Sequence, residues 1–374
     1  RGGRSRRRLP RSGRARARHG RMSFPLTPLP KQREDDFEIG EMLGRGTYCT
    51  VYSAVERATS REVALKVVDR YRCERLHKTK DLYMERHVLR RTNHVNIIKM
   101  LGWFSDTSWV YVVLEHCGGG ELWDAIKTVG CPDSLARFYF AQVIDGLEYL
   151  RQANIVHRDI KAENIMLTAD LVIKLIDFGT AKDLENPHVK GAGNQSRSKV
   201  FEDYVGTPQF MPHEVIQNKC TDFRSDTWST GCLFYQVLTG CPPFHAASEY
   251  LVMERVLAMD LPMPPGLHPL AVDLVTRMVV KDADARLGAL SLEDLRRHAY
   301  FEGTTFGRAH KAPRPLLLLA DACLQKLGRQ LKDFSDTIAS WDGLERLDPL
   351  LRARLERIRI SQQWQDAAMP PTEG

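Results

Sequence analysis

The periodicity of the chain changes once, between residues 115 and 133. From Phe37 to Leu114 the segments YCTVYSAV, EVALKVVD and WVYVVL are dense in β-branched and aromatic residues, around a single helical stretch near Lys80 to Arg91. From Asp133 the period is helical. Leu135, Tyr139, Val143, Leu147 and Leu150 recur at spacings of three and four, after an aspartate able to cap the first turn. Strands followed by helices predict an α+β chain with a small β-rich lobe and a larger helical one. With 374 residues and 43% hydrophobic content, the chain can bury one large core or two modest ones joined by a hinge.

Inside the helical part, DTWSTGCLFYQVLTG (Asp226 to Gly240) is apolar on nearly every face and ends in glycine before Pro242. That pattern predicts a helix buried all round at the centre of the lobe, opened by Asp226. Beyond Phe301 the segment KAPRPLLLL reads as a linker, followed by helical segments near Leu316 to Phe334 and Leu344 to Ile360. There is no internal repeat.

The formal charge of +7 is a property of one end. Residues 1–21 hold ten arginines and no acidic residue, leaving 44 basic against 47 acidic residues in the remainder, a net of −3. The arm reads as a disordered binder of nucleic acid or anionic lipid, as a transit segment, or as sequence upstream of a start at Met22. Eight cysteines scattered from Cys49 to Cys323 form no C-x-x-C pair, which suits a reducing cytoplasm, or nucleus, better than a disulfide framework. Apolar runs such as Leu316 to Leu319 fall far short of the ~20 residues a membrane span needs.

Chemistry concentrates at four places. LGRGTYCTVY holds Gly44 and Gly46 ahead of a strand-like run, so the loop is expected to top a hairpin with backbone N–H groups available to phosphates. Lys66 lies within the apolar strand VALKVV and needs an anionic partner. Glu85 shares a helix face with Leu82 and Leu89 and can supply it, either as a structural ion pair or to orient a phosphate-binding lysine. HRDIKAEN places His157, Arg158, Asp159, Lys161 and Asn164 in a polar loop before the apolar run VIKLI. There Asp159 can accept a hydroxyl proton, Lys161 can steady a phosphoryl group and Asn164 can ligate magnesium. Asp177 of DFGTAK follows eighteen residues after Asp159 and can bridge metal and phosphates.

In order and spacing, Gly44, Gly46, Lys66, Glu85, HRDIKAEN and DFGTAK resemble the protein-kinase signature. The resemblance implies a bilobal kinase fold over residues 34–302, with a small lobe at 34–116 and a large lobe at 117–302. Residues 1–33 form a basic tail and 303–374 an extension. It also implies ATP between the lobes against Leu43, Gly44, Gly46, Val51, Ala64, Lys66, Glu115, Cys117, Glu163, Asn164, Leu167 and Asp177. Mg2+ would sit on Asn164 and Asp177, and the catalytic residues would be Asp159, Lys161, Lys66 and Glu85. Lys161 two residues after Asp159, and Thr207 after Gly206, resemble the serine/threonine branch. Glu214 and Arg286 would pair to clamp the activation segment, and Glu121 and Glu163 stand near the substrate groove, where basic residues flanking the target are expected.

The strings ATSREVALKV, DFGTAK, VGTPQF, SEYLVMERV and RLGALSLEDLRRHAYFEG are similar to the phosphoinositide-dependent kinases of the AGC group, from about Asp36 to Pro315. That family implies substrates that are activation-loop Ser or Thr residues of other AGC kinases. An AGC or calmodulin-kinase-like serine/threonine kinase with other substrates, or a scaffold without turnover, are the rival readings. The segment after Leu316 is too short and helical for a lipid-binding domain, and a monomer is expected.

Several positions depart from the pattern. MPHE stands where Ala-Pro-Glu is usual, and GAGNQSRSK lengthens the activation segment. In the small-lobe pocket that takes a phosphorylated tail in that family, Arg86 and Val110 fit, but Glu38, Trp103 and Ser105 replace the expected polar set. Asp203 occupies the usual phosphosite, and Met84 replaces a cationic partner of that phosphate. Either Asp203 is bound by Arg158 and Lys182 as a built-in lock, or order comes from phosphorylation of Ser196, Ser198 or Thr207.

Overall fold

The computed structural model describes residues 28–127, 130–131, 133–186, 205–217 and 221–311. The basic arm, the helical segments expected after Leu316, GAGNQSRSK, Ser196, Ser198 and Asp203 lie outside the described residues.

Five antiparallel strands build the small lobe: β1 (Phe37–Arg45), β2 (Cys49–Glu56), β3 (Arg61–Asp69), β4 (Met100–Ser105) and β5 (Trp109–Glu115), in the order β1-β2-β3-β5-β4. Alternation sorts the side chains by face. On β5, Val110 and Val112 join the main core, while Tyr111 and Val113 join a second cluster with Phe37, Ala54, Val63 and Leu65 on the other side of the sheet. Between β3 and β4 run α1 (Arg70–Arg75), whose first turn is capped by the Asp69 carboxylate on the Arg72 amide, and α2 (Thr79–Arg91). The stripe Leu82, Val88 and Leu89 seats α2 on the sheet.

The large lobe comprises β6 (Gly120–Glu121), α3 (Leu122–Ile126), α4 (Asp133–Gln152), β7 (Ile155–Val156), β8 (Ile165–Leu167), β9 (Ile173–Leu175), β10 (Lys182–Asp183), α5 (His213–Ile216), α6 (Phe223–Thr239), α7 (Glu249–Ala258), α8 (Pro269–Met278) and α9 (Glu293–Arg296). Its strands form two small sheets, β6-β8-β9 and β10-β7. The two lobes and these sheets together form the bilobal kinase fold.

All five periodic positions of α4 are buried. So is every residue of α6 from Ser225 to Leu238, and α6 ends at Gly240 in the left-handed region (φ 77°). The expectation that Asp226 opens this helix is corrected. The helix begins three residues earlier, capped by Asp222 on the Arg224 amide, and this frees Asp226 for a different partner.

A buried ion pair fastens α5 to the far side of the lobe. Arg286 meets Glu214 twice, Nη1 to Oε1 at 2.8 Å and Nη2 to Oε2 at 2.5 Å. Its Nε donates to the Val280 carbonyl at 2.9 Å, and its guanidinium lies 5.0 Å over the Trp228 ring. The displaced proline of MPHE finds a use: Pro212 caps α5, and its carbonyl takes the Val215 amide at 2.9 Å.

Burial works against charge on Glu214, but the Arg286 hydrogen bonds and charge outweigh it and hold the carboxyl below its ordinary value of 4.5. Its stabilisation is therefore complete above that value and is lost as pH falls through the lowered one. Removing one partner of a buried pair costs about 3–5 kcal/mol. For Arg286→Ala, thermal unfolding at pH 7 is expected to show Tm lowered by about 10 °C. The difference from wild type should narrow as the measurement moves below pH 4.5.

Candidate active site

The phosphate-facing side is built by β1, β2 and β3. As expected, the loop Gly44 to Cys49 tops the β1–β2 hairpin, with Gly44 opposite Val51 and Val51 opposite Lys66. One of its amides is not available, which corrects the expectation of free donors: the Gly46 N–H donates to the Cys49 carbonyl at 2.8 Å. A side chain at Gly46 would meet the Cys49 sulfur at 3.0 Å, whereas one at Gly44 would meet nothing within 4 Å. Leu43 is exposed at the rim, and Ala64 is buried opposite Leu114 of β5.

Lys66 has both carboxylate oxygens of Glu85 on its ammonium, at 2.8 and 2.7 Å. Burial works against the charge of Lys66, but Glu85 and the nearby Asp177 carboxylate prevail, so its pKa is held above the ordinary lysine value. β5 ends at the hinge. There the Glu115 carboxylate accepts the Lys99 amide and pairs with Lys174, both at 2.7 Å, and burial pushes the Cys117 thiol up to about 12. Leu167 is buried beneath, and its carbonyl takes the Gly119 amide at 2.8 Å.

HRDIKAEN forms the opposite wall. The buried carboxylate of Asp226 accepts the amides of His157 and Arg158, each at 2.8 Å. It thereby holds Arg158 at φ 71°, a conformation costly for a residue with a side chain. Within the loop, Asn164 donates its amide nitrogen to the Asp159 carbonyl and carboxylate, each at 2.8 Å, and Lys161 lies 2.9 Å from the same carboxylate. Thr207 completes the cluster, its amide and hydroxyl donating to Asp159 Oδ1 at 3.0 and 2.9 Å while Lys161 donates to that hydroxyl at 2.6 Å.

This close approach needs Gly206 (φ 109°), where a Cβ would stand 2.6 Å from the Arg158 carbonyl. Burial works against ionisation of Asp159, yet the charge and hydrogen bond of Lys161 and the Thr207 hydroxyl hold its pKa below the carboxylate range.

Phe178 is fully buried against the His157 ring, with centroids 4.7 Å apart, and this leaves the neighbouring Asp177 facing out of the core at φ 59°. Asn164 has committed its amide nitrogen to Asp159, so its oxygen is the atom left for a ligand. An amide oxygen and an exposed carboxylate are hard donors that suit magnesium shared with phosphates, which needs few protein ligands. Among the described residues no cluster of three or more His, Cys, Asp or Glu side chains offers a metal cage.

Thr207 is one of the three hydroxyls that the sequence offers for phosphorylation. Its hydroxyl is already held between Asp159 and Lys161, and a phosphoryl group there would set like charge against Asp159. Arg158 Nε donates to the Thr180 carbonyl at 2.5 Å, and Lys182 reaches the Thr221 carbonyl at 3.4 Å.

On the small lobe, a cavity of about 160 Å³ is lined by Arg70, Cys73, Leu82, Arg86, Trp103 and Val110 among others. The Arg86 guanidinium lies 5.0 Å over the Trp103 ring, and Glu38 is engaged with Arg57 at 3.3 Å, away from the cavity.

A family model for the protein kinase domain matches residues 37–301. The chain is 34% identical over 354 residues to rat 3-phosphoinositide-dependent protein kinase 1, an alignment covering 93% of this chain and 61% of the rat protein. It is 38% identical over 295 residues to the human protein of that name (78% and 52% covered) and 37% over 285 residues to the one from Arabidopsis thaliana (75% and 58%). The chain thus spans between half and two thirds of the length of these relatives. With Lys66 on Glu85, Asp159 in its polar cluster and a kinase match over most of the described fold, the chain belongs to the protein kinase family, among the serine/threonine kinases resembling 3-phosphoinositide-dependent protein kinase 1.

Proposed function

We propose that this chain moves the γ-phosphoryl group of ATP onto serine or threonine hydroxyls of protein substrates. The observation that carries the reading is the hydrogen-bonded cluster of Asp159, Lys161, Asn164 and Thr207, facing a preformed Lys66–Glu85 pair. An ionised Asp159 is poised to accept a hydroxyl proton at neutral pH, in the place where the Thr207 hydroxyl already donates to it. Lys161, anchored on Asp159 and Thr207, sets positive charge beside that oxygen. Lys66, oriented by Glu85, would hold the α- and β-phosphates of the nucleotide. The Asn164 oxygen and Asp177 would hold magnesium, which would supply charge neutralisation to the phosphates.

The substrate side carries acid. Glu163 Oε2 is sealed from solvent and has no hydrogen-bond partner among the described residues. Burial, together with the neighbouring Asp124 and Glu163 carboxylates, raises the Glu121 pKa. The negative charge gathered on this side suits a guanidinium from a target peptide. Similarity to 3-phosphoinositide-dependent protein kinase 1 supports other AGC kinases as targets, their activation-loop Ser or Thr being the acceptor. Arg86 is stacked on Trp103, so the small-lobe cavity suits an apolar tail segment better than a phosphorylated one. No disulfide joins the described cysteines, in keeping with action in a reducing compartment, cytoplasm or nucleus.

Asp159→Asn is expected to lower kcat about 10²–10⁴-fold in a ³²P-transfer assay while fluorescent-nucleotide affinity stays near wild type. A scaffold that only binds nucleotide would show no wild-type transfer to lose. Glu163→Gln is expected to raise KM about tenfold for arginine-containing peptides and to leave arginine-free peptides unchanged, as the loss of one charge-assisted hydrogen bond requires.

A further inference from the structure

The kinase signature accounts for one side of α2, through Glu85. A second polar cluster lies on the other side. His87 and Arg91, four residues apart on one stripe of the helix, both reach the carboxylate of Asp183 in β10. His87 Nε2 is 2.7 Å from Asp183 Oδ2, and Arg91 Nη1 donates to the same oxygen. The remaining valences of Asp183 are filled from its own loop, by the amides of Glu185 (2.9 Å) and Asn186 (3.0 Å) and the Asn186 side chain (3.1 Å). Arg91 Nη2 also meets Glu185 at 2.9 Å.

Asp183 is buried, and the Arg91 side chain is only 7% exposed. Buried ionic clusters add little net stability over apolar packing and select one geometry instead. The geometry selected here joins three functional parts. Asp183 stands six residues after Asp177, and β10 pairs with β7 (Asp183 opposite Ile155), the strand that runs directly into His157, Arg158 and Asp159. A shift or roll of α2 that withdrew Glu85 from Lys66 would also pull His87 and Arg91 off Asp183. The carboxylate belongs to the chain, so the contact needs no added phosphate.

We propose that the clasp of His87 and Arg91 on Asp183 is a positioning latch, which ties α2 to the segment after Asp177 and so keeps Glu85 on Lys66. The inference rests on the phosphotransfer reading above for its consequence, but its geometry can be tested without turnover. The test uses the full chain and three variants: His87→Ala, at the partly exposed edge of the cluster; Asp183→Asn, which keeps the shape and removes the charge; and a triple replacement, His87→Leu with Arg91→Met and Asp183→Leu, which keeps the volume and removes all polarity.

Two readouts are taken. The first is the rate at which Lys66 is acylated by an amine-reactive probe, followed by mass spectrometry, because release from Glu85 lowers the lysine pKa and speeds labelling. It is expected to rise severalfold in Asp183→Asn and in the triple variant, whose Tm stays within about 3 °C of wild type. Labelling equal to wild type in every folded variant overturns the latch, whether or not the protein transfers phosphate.

The second readout is kcat with and without Glu85→Gln. Loss of the latch is expected to cost about tenfold in kcat with peptide KM unchanged, and to cost almost nothing further once Glu85 is already Gln. An equal loss in both backgrounds shows a role that does not pass through Glu85 and overturns the proposal. Absence of transfer by wild-type protein counts against the functional reading alone, and the labelling result then decides the latch.

Discussion

A lysine ammonium buried in an apolar strand has to be met by negative charge, and much of this molecule is arranged around meeting it. Lys66 sits at the centre of β3, with strands on both sides and its side chain only 13% exposed. The two hydrogen bonds it donates to Glu85 require α2 to lie at one height and one rotation against the sheet. The field of Asp177 adds to the match from the large lobe, so the pair also depends on how that lobe presents the residues after Asp159. One buried charge thereby couples a strand, a helix and the far side of the cleft.

The large lobe repeats this logic. Asp226 gives up solvation to take two backbone amides of the loop carrying Asp159, and Arg286 gives up solvation to hold Glu214. Interactions of this kind contribute modestly to stability and strongly to uniqueness, because a carboxylate left unmatched in the interior is far costlier than a methyl group slightly out of place. The core of Trp228, Phe234, Phe244 and their neighbours supplies the bulk of the folding energy and is indifferent to catalytic geometry. Polar contacts decide where the loops end. The strained backbones of Arg158 and Asp177 are tolerated for the same reason: the surrounding hydrogen bonds and the buried Phe178 over-determine them.

The legible part of the molecule was the part written in local patterns. Alternation marked β2, β3 and β5, and helical period marked α4 and the body of α6, because burial of one face leaves its period in the residue types. HRDIKAEN and DFGTAK were legible for another reason, since so many charged residues beside apolar strands have no cheap structural role. The start of α6 lies three residues ahead of its apolar pattern, because the Asp222 cap falls among residues that look like a loop. The engagement of the Gly46 N–H is not legible in the sequence, because closure of the loop onto Cys49 is a matter of backbone curvature and leaves no trace in composition.

The chain's own order of residues therefore determined the two-lobed α+β layout, the identity of the polar residues available for phosphate chemistry and the pairing of Lys66 with a helical carboxylate. Each of these follows from short-range periodicity or from the cost of burying a lone charge. Only the tertiary structure decided which distant groups complete the set. Thr207 lies 48 residues from the aspartate it touches, and Asp183 lies 92 and 96 residues from the arginine and histidine that clasp it. Side chains so far apart in sequence meet only after strand pairing and helix packing have set the backbone, and their contact depends on ångström-scale placement that no local pattern encodes.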